Sequence, residues 1–387
     1  MNPKDFTDAK RGKLLRITQP KEDWAFIPES LPPAWDFPGK LTELLGDARE
    51  ALGILEGVGR NLENPNLLIR PLQNREALTS SSLEGTYVTA EQLLLYEIDP
   101  QEPSPDDEQG LDWQEVHNYS RALQRGCEMI DVENLPFLLR VIKQMHAVLL
   151  QGVRGERARA GTFRPWQVQL GASGRYIPPP HLEVPDLMAN LEKYMNTRDE
   201  RLNPLVQCFV VHYQFEAIHP FVDGNGRVGR SLLALMIYKL MGHTKPWLYL
   251  SAFFERFKDE YIQNLFRVST HGDWESWIEY CLRGTIWQAK DSIRRCDRFQ
   301  QIKIEFRDQV VNASPRTYPI LDSLFHEPIV TSPSLATKHQ VSFPTAKSDI
   351  DRLVDCGVLK EIPKTRPKAY YSPKIMTAAY GEPEEQY

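Results

Sequence analysis

Twelve residues constrain this chain more than any other stretch: His219 to Arg230, reading His-Pro-Phe-Val-Asp-Gly-Asn-Gly-Arg-Val-Gly-Arg. One imidazole, one carboxylate, three glycines, an Asn and two guanidinium groups are crowded between two apolar patterns of helical period. Upstream, Leu205, Cys208, Phe209, His212, Phe215 and Glu216 recur at helical spacing; downstream, Val228, Leu232, Leu235, Met236 and Leu240 do the same. The stretch is therefore a short turn joining two helices, and its chemistry suits phosphate.

Gly224 and Gly226 permit backbone conformations closed to other residues and let N–H groups approach a ligand. They open the second helix, where unpaired donors and the positive dipole end attract an anion. Arg227 and Arg230 are one helical turn apart, so both forks can face the same anion. Asp223 is a hard oxygen ligand of the kind that holds Mg²⁺ jointly with a polyphosphate. His219, just before the turn, has the side chain of a general base near neutral pH.

Other readings fit less well. Gly224, Gly226 and Gly229 satisfy G-x-G-x-x-G, but a dinucleotide fold requires a strand before it, and here a helix precedes. Glu216-x-x-His219 resembles half of a di-iron motif, which must occur on two helices, yet no other His follows a Glu at that spacing. A satisfied core histidine flanked by surface arginines would not need so many specialised residues together.

The segment matches the motif of the Fic family, His-Pro-Phe-x-[Asp/Glu]-Gly-Asn-[Gly/Lys]-Arg-x-x-Arg, and the chain resembles Fic protein adenylyltransferases. The resemblance implies transfer of AMP from Mg-ATP to a Tyr, Thr or Ser hydroxyl of a target protein, this chain included. His219 would deprotonate the hydroxyl and Asp223 would bind Mg²⁺. Gly224, Asn225 and Gly226 would form the anion hole, Arg227 would contact phosphate and Arg230 would hold the γ-phosphate. Tyr261 and Asn264, in a segment resembling the one that closes the family's adenine pocket, would contact the base.

Residues 72 to 84 read as helix and contain Ser80-Ser-Ser-Leu-Glu84-Gly85. Ser80 and Glu84 lie one turn apart on one face. Beside the complete motif, this resembles the inhibitory motif of the class whose inhibitory helix (about 72–85) precedes the core. It implies that Glu84 pairs with Arg230 where the γ-phosphate would sit. Thr89 and Gln92 form a capping-box signature. Residues 161–180, with alternating Gln167-Val-Gln-Leu and a turn at Gly171 to Gly174, read as a hairpin and resemble the Fic flap, which aligns the target segment. Trp166, Val168 and Tyr176 are its candidate target-reading side chains.

The expected fold is mainly α: a Fic helical core with a small β-hairpin flap, plus a C-terminal winged helix-turn-helix domain. Domain expectations are 1–110 for an N-terminal helical region, 111–312 for the core and 313–387 for the winged unit. Residues 1–37 read as an extended arm, and Pro65 to Ile69 as a short helix broken off from the one that starts at Leu72 and carries Ser80. Lys360, Lys364, Arg366 and Lys368 make the wing basic, but Asp349, Asp351 and Asp355 on the would-be recognition helix disfavour DNA. Net charge −6 gives no whole-chain argument for nucleic acid. Five scattered Cys, no apolar leader and no membrane-length apolar run suggest a cytoplasmic protein without membrane partners. A homodimer, removal of AMP, transfer of another nucleotide and a DNA-binding regulator that only senses nucleotide stay open as alternatives.

Overall fold

The computed structural model describes residues 1–6, 12–62, 64–98, 100, 103, 107–153, 159–171, 174–310 and 314–382. Much of the acidic loop after Glu97, the tip of the expected hairpin at 172–173 and the expected boundary at 312/313 lie outside the described residues. Two strands, β1 (Gly12–Ile17) and β2 (Asp23–Pro28), precede helices α1 (Thr42–Arg60), α2 (Asn66–Leu83), α3 (Ala90–Ile98), α4 (Glu108–Asp131) and α5 (Leu139–Leu149). Helices α6 (Val184–Met195), α7 (Pro204–Ile218), α8 (Asn225–Leu240), α9 (Ser251–Arg256), α10 (Lys258–His271) and α11 (Trp274–Gln309) follow.

The α7–turn–α8 pair is the centre of the fold. Nearly every residue of α7 and all of α8 from Asn225 to Tyr238 are buried. The sequence spacing marks one apolar face on each, but the intervening positions, such as Val206, Val210, Val211, Leu233 and Ala234, are buried too. A helix apolar all round belongs inside a layer of others. Here α4, α5, α6, α10 and α11 supply that layer.

Helix α2 corrects the expected break. Pro71 lies inside it, early enough to remove only a bond near the N-terminal end. Packing against α4 and α9 outweighs that loss. The residues read as an extended arm form a hairpin, with β1 and β2 antiparallel from Gly12↔Pro28 to Ile17↔Asp23. The Phe26 N–H donates to the Ile177 carbonyl at 2.9 Å, so the hairpin is stitched to the segment before α6. In that segment the expected hairpin pairs, among the described residues, at a single bridge, Leu170↔Tyr176.

After α11 come α12 (Thr317–Leu324), β3 (Ile329–Thr331), α13 (Ser332–His339), α14 (Phe343–Asp355), β4 (Lys360–Ile362), β5 (Ala369–Tyr371) and α15 (Pro373–Tyr380). The sheet order is β3-β5-β4, all antiparallel. The would-be recognition helix is α14, and the basic residues read as the wing lie on and between β4 and β5. Sequence reading counted Asp349 among repelling surface acids, whereas Asp349 is buried and gripped by both arms of Arg316 at 3.0 Å. Among the described residues, no helix is long and apolar enough to cross a membrane.

One buried polar cluster and one apolar cluster tie the C-terminal unit to the core. Arg75 of α2 and Arg295 of α11 share Asp291, at 2.6 and 2.8 Å, and Arg295 also donates to the Ala378, Ala379 and Gly381 carbonyls at the end of α15. Leu94 of α3 packs with Ile329, Ile362 and Ala369 of the sheet. Removing the shared carboxylate would leave two buried cations facing each other. Asp291→Ala should therefore lose about 3–5 kcal/mol of stability in denaturant unfolding; a loss below about 1 kcal/mol would show that solvent compensates the cluster.

Candidate active site

Helix α7 ends at His219, whose left-handed conformation (φ 52°) stops the helix and turns the ring toward a cavity. His is among the few side chains that adopt this region readily, and such residues often mark working sites. The His219 N–H still donates to the Phe215 carbonyl at 3.0 Å, so the turn remains attached to the helix. Gly224 (φ 75°) starts α8, and a Cβ there would meet Leu149 at 3.0 Å.

Three side chains hold the turn. Arg164, almost fully buried, donates from Nε to the His219 carbonyl at 2.9 Å, from Nη1 to Trp166 at 3.2 Å, and from Nη2 to Ile218 at 3.5 Å and to Pro179. A cation at the carbonyl end of α7 suits the helix dipole. Burial pulls its pKa down to about 10, which leaves it charged at neutral pH. His146 accepts the Gly161 N–H at Nδ1 (2.8 Å), which assigns the ring proton to Nε2 and its donation to the Asp223 carbonyl at 3.0 Å. Its ring stacks on Phe221 at 3.8 Å. Asn225 spends its side chain on the Phe221 backbone, accepting at 2.8 Å and donating at 3.0 Å. It therefore offers an anion its backbone only.

The cavity, about 390 Å³, is lined by His219, Gly226, Arg230, Glu84, Glu216 and Tyr261 among others. Arg230 projects from the first turns of α8 and is buried. Its Nε donates to Ser80 Oγ at 2.8 Å, and its Nη2 to the Ser80 carbonyl at 2.9 Å and to Glu84 Oε1 at 2.8 Å. Burial opposes the guanidinium's charge, but Glu84, Tyr261 and Glu216 outweigh it and raise its pKa. Burial likewise pushes Glu84 up, yet Arg230 wins and leaves that carboxyl below its usual range. A Cβ on Gly226 would lie 2.2 Å from Glu84 Oε1, so the carboxylate rests against the opening turn of α8. The last carbonyl of α2, at Leu83, accepts from Lys258 Nζ at 2.8 Å.

The expectation that both arginines face one anion needs correction. Arg227 is also buried, but it pairs with Glu115 of α4, and its Nη2 lies 3.5 Å from Asp223 Oδ1. Glu115 is a buried carboxylate that needs a cation, and the Thr86 hydroxyl donates to it as well, at 3.1 Å. Asp223 is half-exposed and takes the Gly224 N–H at 2.6 Å. Burial, with help from Arg164, pushes the His219 imidazole down to about 4 against the pull of Glu84 and Asp223. His219 is thus a neutral proton acceptor at physiological pH.

Residues 42–128 match the Fic/DOC family N-terminal model and residues 136–237 the Fic/DOC family model. The chain is a Fic family protein. A protein adenylyltransferase Fic of Drosophila mojavensis is 33% identical over 127 residues, 32% of this chain and 24% of its own. That of Drosophila willistoni is 25% identical over 221 residues, 54% and 42%. The chain thus spans less than half the length of either curated relative. A Fic family protein from Desulfovibrio desulfuricans shares the fold, with TM-score 0.55 at 19% identity over 87% of this chain and 97% of its own. Fic-1 of C. elegans does so at TM-score 0.54 and 21% identity, over 68% and 74%.

Of the two candidate base contacts in this Fic protein, Tyr261 lines the cavity, whereas Asn264 is buried outside its lining. Tyr261 donates to His212 Nε2 at 2.9 Å, because His212 Nδ1–H is committed to the Gly229 carbonyl at 3.2 Å. Sequence reading missed Arg164, His146 and Glu115. Arg164 carries no periodic signal; His146 reads as one more polar residue on an amphipathic helix.

Three imidazoles are held neutral by burial: His219 and His146 at about 4, His212 at about 3. With folded values below the unfolded one, their contribution is complete above about pH 6.5 and is lost as pH falls toward 4. Glu216, pushed up to about 8 by burial, has the opposite sign, so a difference between variants isolates each group. From pH 7 to 5, the wild type should lose roughly 2 kcal/mol more than His146→Gln in urea unfolding. Parallel losses would deny that His146 is buried in its neutral form.

Proposed function

We propose that this Fic protein is an adenylyltransferase that moves AMP from Mg-ATP to a Tyr, Thr or Ser hydroxyl of a target protein, itself included. We also propose that Glu84 holds it inactive. One observation carries the reading: the buried guanidinium at the opening of α8 is held by a carboxylate from another helix, which lies against Gly226. An anion-binding site is thereby filled by an anion of the chain's own, in a cavity that also contains a neutral imidazole. The adenylyltransferase names of the curated relatives support the same chemistry.

In this mechanism His219 takes the proton of the attacking hydroxyl as its oxygen bonds to the α-phosphorus, and pyrophosphate leaves in line. Backbone N–H groups of Asn225 and Gly226, and that of Gly224 once Asp223 releases it, receive phosphate oxygens, and Arg230 receives the γ-phosphate once Glu84 withdraws. Arg227, whose Nη2 lies 3.5 Å from Asp223 Oδ1, is proposed to contact phosphate. Asp223, a half-exposed carboxylate, fits Mg²⁺: among the described residues no cluster of three or more His, Cys, Asp or Glu forms a metal cage, and this ion is commonly held by one carboxylate with phosphates and water. When bound, Mg²⁺ would neutralise charge developing on the leaving pyrophosphate. Tyr261, and Asn264 after local adjustment, are proposed to meet the base. Residues 161–180 are proposed as a flap that aligns the target.

The proposed division is 1–110 with the inhibitory helix, 111–312 as catalytic core and 313–387 as a winged helix-turn-helix. The free thiols at all five cysteines suit the cytoplasmic location we propose. The wing is assigned to protein contact rather than DNA because Lys368 is paired with Glu361, and Asp351 and Asp355 are exposed on α14.

Transfer is read as radiolabel or added mass on the protein after incubation with Mg-ATP. His219→Ala should lose about 10²- to 10⁴-fold while unfolding at the wild-type temperature; retained transfer would remove the base assignment. Glu84→Gly should raise auto-modification about tenfold, the low end for a charge-assisted contact because Glu84 is partly exposed. Equal rates would take Glu84 out of regulation. Asp223→Ala should weaken Mg²⁺ dependence and nucleotide affinity together, and loss of one alone would separate the metal from the nucleotide.

A further inference from the structure

Nothing in the proposed mechanism uses Glu216, one helical turn before His219, yet its carboxyl lines the same cavity. Its Oε1 is buried and has no hydrogen-bond partner among the described residues. A Cβ on Gly229 would lie 2.2 Å from that oxygen and 2.9 Å from the Phe215 ring. The twelve-residue motif leaves position 229 open, so phosphate binding does not account for the glycine there. Accommodating the Glu216 carboxyl against the backbone of α8 does.

A carboxylate with a buried, unpartnered oxygen is unfavourable in a fold, particularly where a polyphosphate is to bind. Arg230, a cation that acts on this carboxyl, is already engaged by Ser80 and Glu84. The neutral acid has neither difficulty: it carries no charge to repel phosphate, and its O–H is a donor awaiting an acceptor.

We propose that Glu216 is a further ligand-contacting residue of this cavity, donating a hydrogen bond from its carboxyl O–H to an acceptor oxygen in the ribose–phosphate part of the bound nucleotide. The inference rests on the nucleotide-transfer reading of the cavity. Burial pushes Glu216 up to about 8, with Arg230 opposing and Glu84 adding to the rise. The ionisable groups around it are Arg230 on α8, Glu84 just past the end of α2 and Tyr261 on α10; His219, Lys258 and Arg175 share the cavity lining. A bound triphosphate replaces the negative charge of Glu84 with more of the same sign and keeps the proton in place. Above the pKa the donor is lost and a repelling charge takes its place.

The test is Mg-ATP affinity by titration calorimetry, from about pH 7 to about pH 9.5, in the Glu84→Gly protein with and without Glu216→Gln. The wild-type acid should bind about tenfold more weakly at the upper end than at the lower. Glu216→Gln, which keeps a donor at every pH, should hold its affinity. Glu216→Ala should bind about tenfold more weakly throughout, and Gly229→Ala should weaken binding by displacing the carboxyl. Should Glu216→Ala misfold, the near-isosteric Gln variant still decides. Affinities of the Glu and Gln proteins that fall in parallel with pH would overturn the role of Glu216 alone. Absence of any nucleotide binding by Glu84→Gly would overturn the reading of the cavity as well.

Discussion

A guanidinium buried at the opening of a helix needs an anion, and that requirement organises this protein. Arg230 stands where the positive end of α8 and its own charge add, inside a layer of helices that excludes water. Left alone, it would be an uncompensated buried charge. The chain answers with Ser80 and Glu84, presented from the last turn of α2 and just beyond it. Glu84 satisfies the cation incompletely, because it is the partly exposed partner of the pair. An anion with more oxygens at the same place would satisfy it better, so the site is stable when locked and receptive when open.

The turn between α7 and α8 is rigid for a different reason. Backbone carbonyls at the end of a helix and in a tight loop have no intrahelical partner and must find donors. Arg164 covers those of Ile218 and His219, His146 that of Asp223, and Asn225 that of Phe221. Each brace comes from a different part of the chain, and together they fix the His219 ring and the N–H groups of the α8 opening without occupying either. Burial by the same layer makes the imidazole neutral. Packing and acid–base chemistry therefore have one cause.

The readable parts of the chain were those in which a few neighbouring residues carry the whole physical argument. The twelve-residue turn is legible because glycine, imidazole and guanidinium are each specialised and stand close in sequence. Ser80 and Glu84 are legible by helical spacing, and Thr89 with Gln92 by a cap that both residues close, at 2.8 and 3.2 Å. What escaped depends on distant partners. Arg164 acquires its role from carbonyls more than fifty positions away. Pro71 predicts a break by local rules, and the burial of α2 overrides it. Strand β3 exists only because β5 returns beside it. Arg227 shows the limit of spacing arguments: one turn from Arg230 on the same helix, it is held by Glu115 of α4 while Arg230 is held by Glu84.

The position of Glu84 also bears on how such a lock can open. Moving α2 as a body would break the buried Arg75–Asp291 pair and the contacts of Arg70 with Glu97, His326 and Glu327. The first alone amounts to about 3–5 kcal/mol. Rotating the Glu84 side chain breaks one charge-assisted bond, about 1.5–3 kcal/mol before solvent compensation, and leaves the Ser80 contacts to Arg230 in place. Glu84 lies beyond the last helical residue, next to Gly85, whose positive φ of 94° marks the end of the helix. These magnitudes favour release at the level of one side chain and the final turn, with the body of α2 acting as the fixed arm from which the carboxylate is hung.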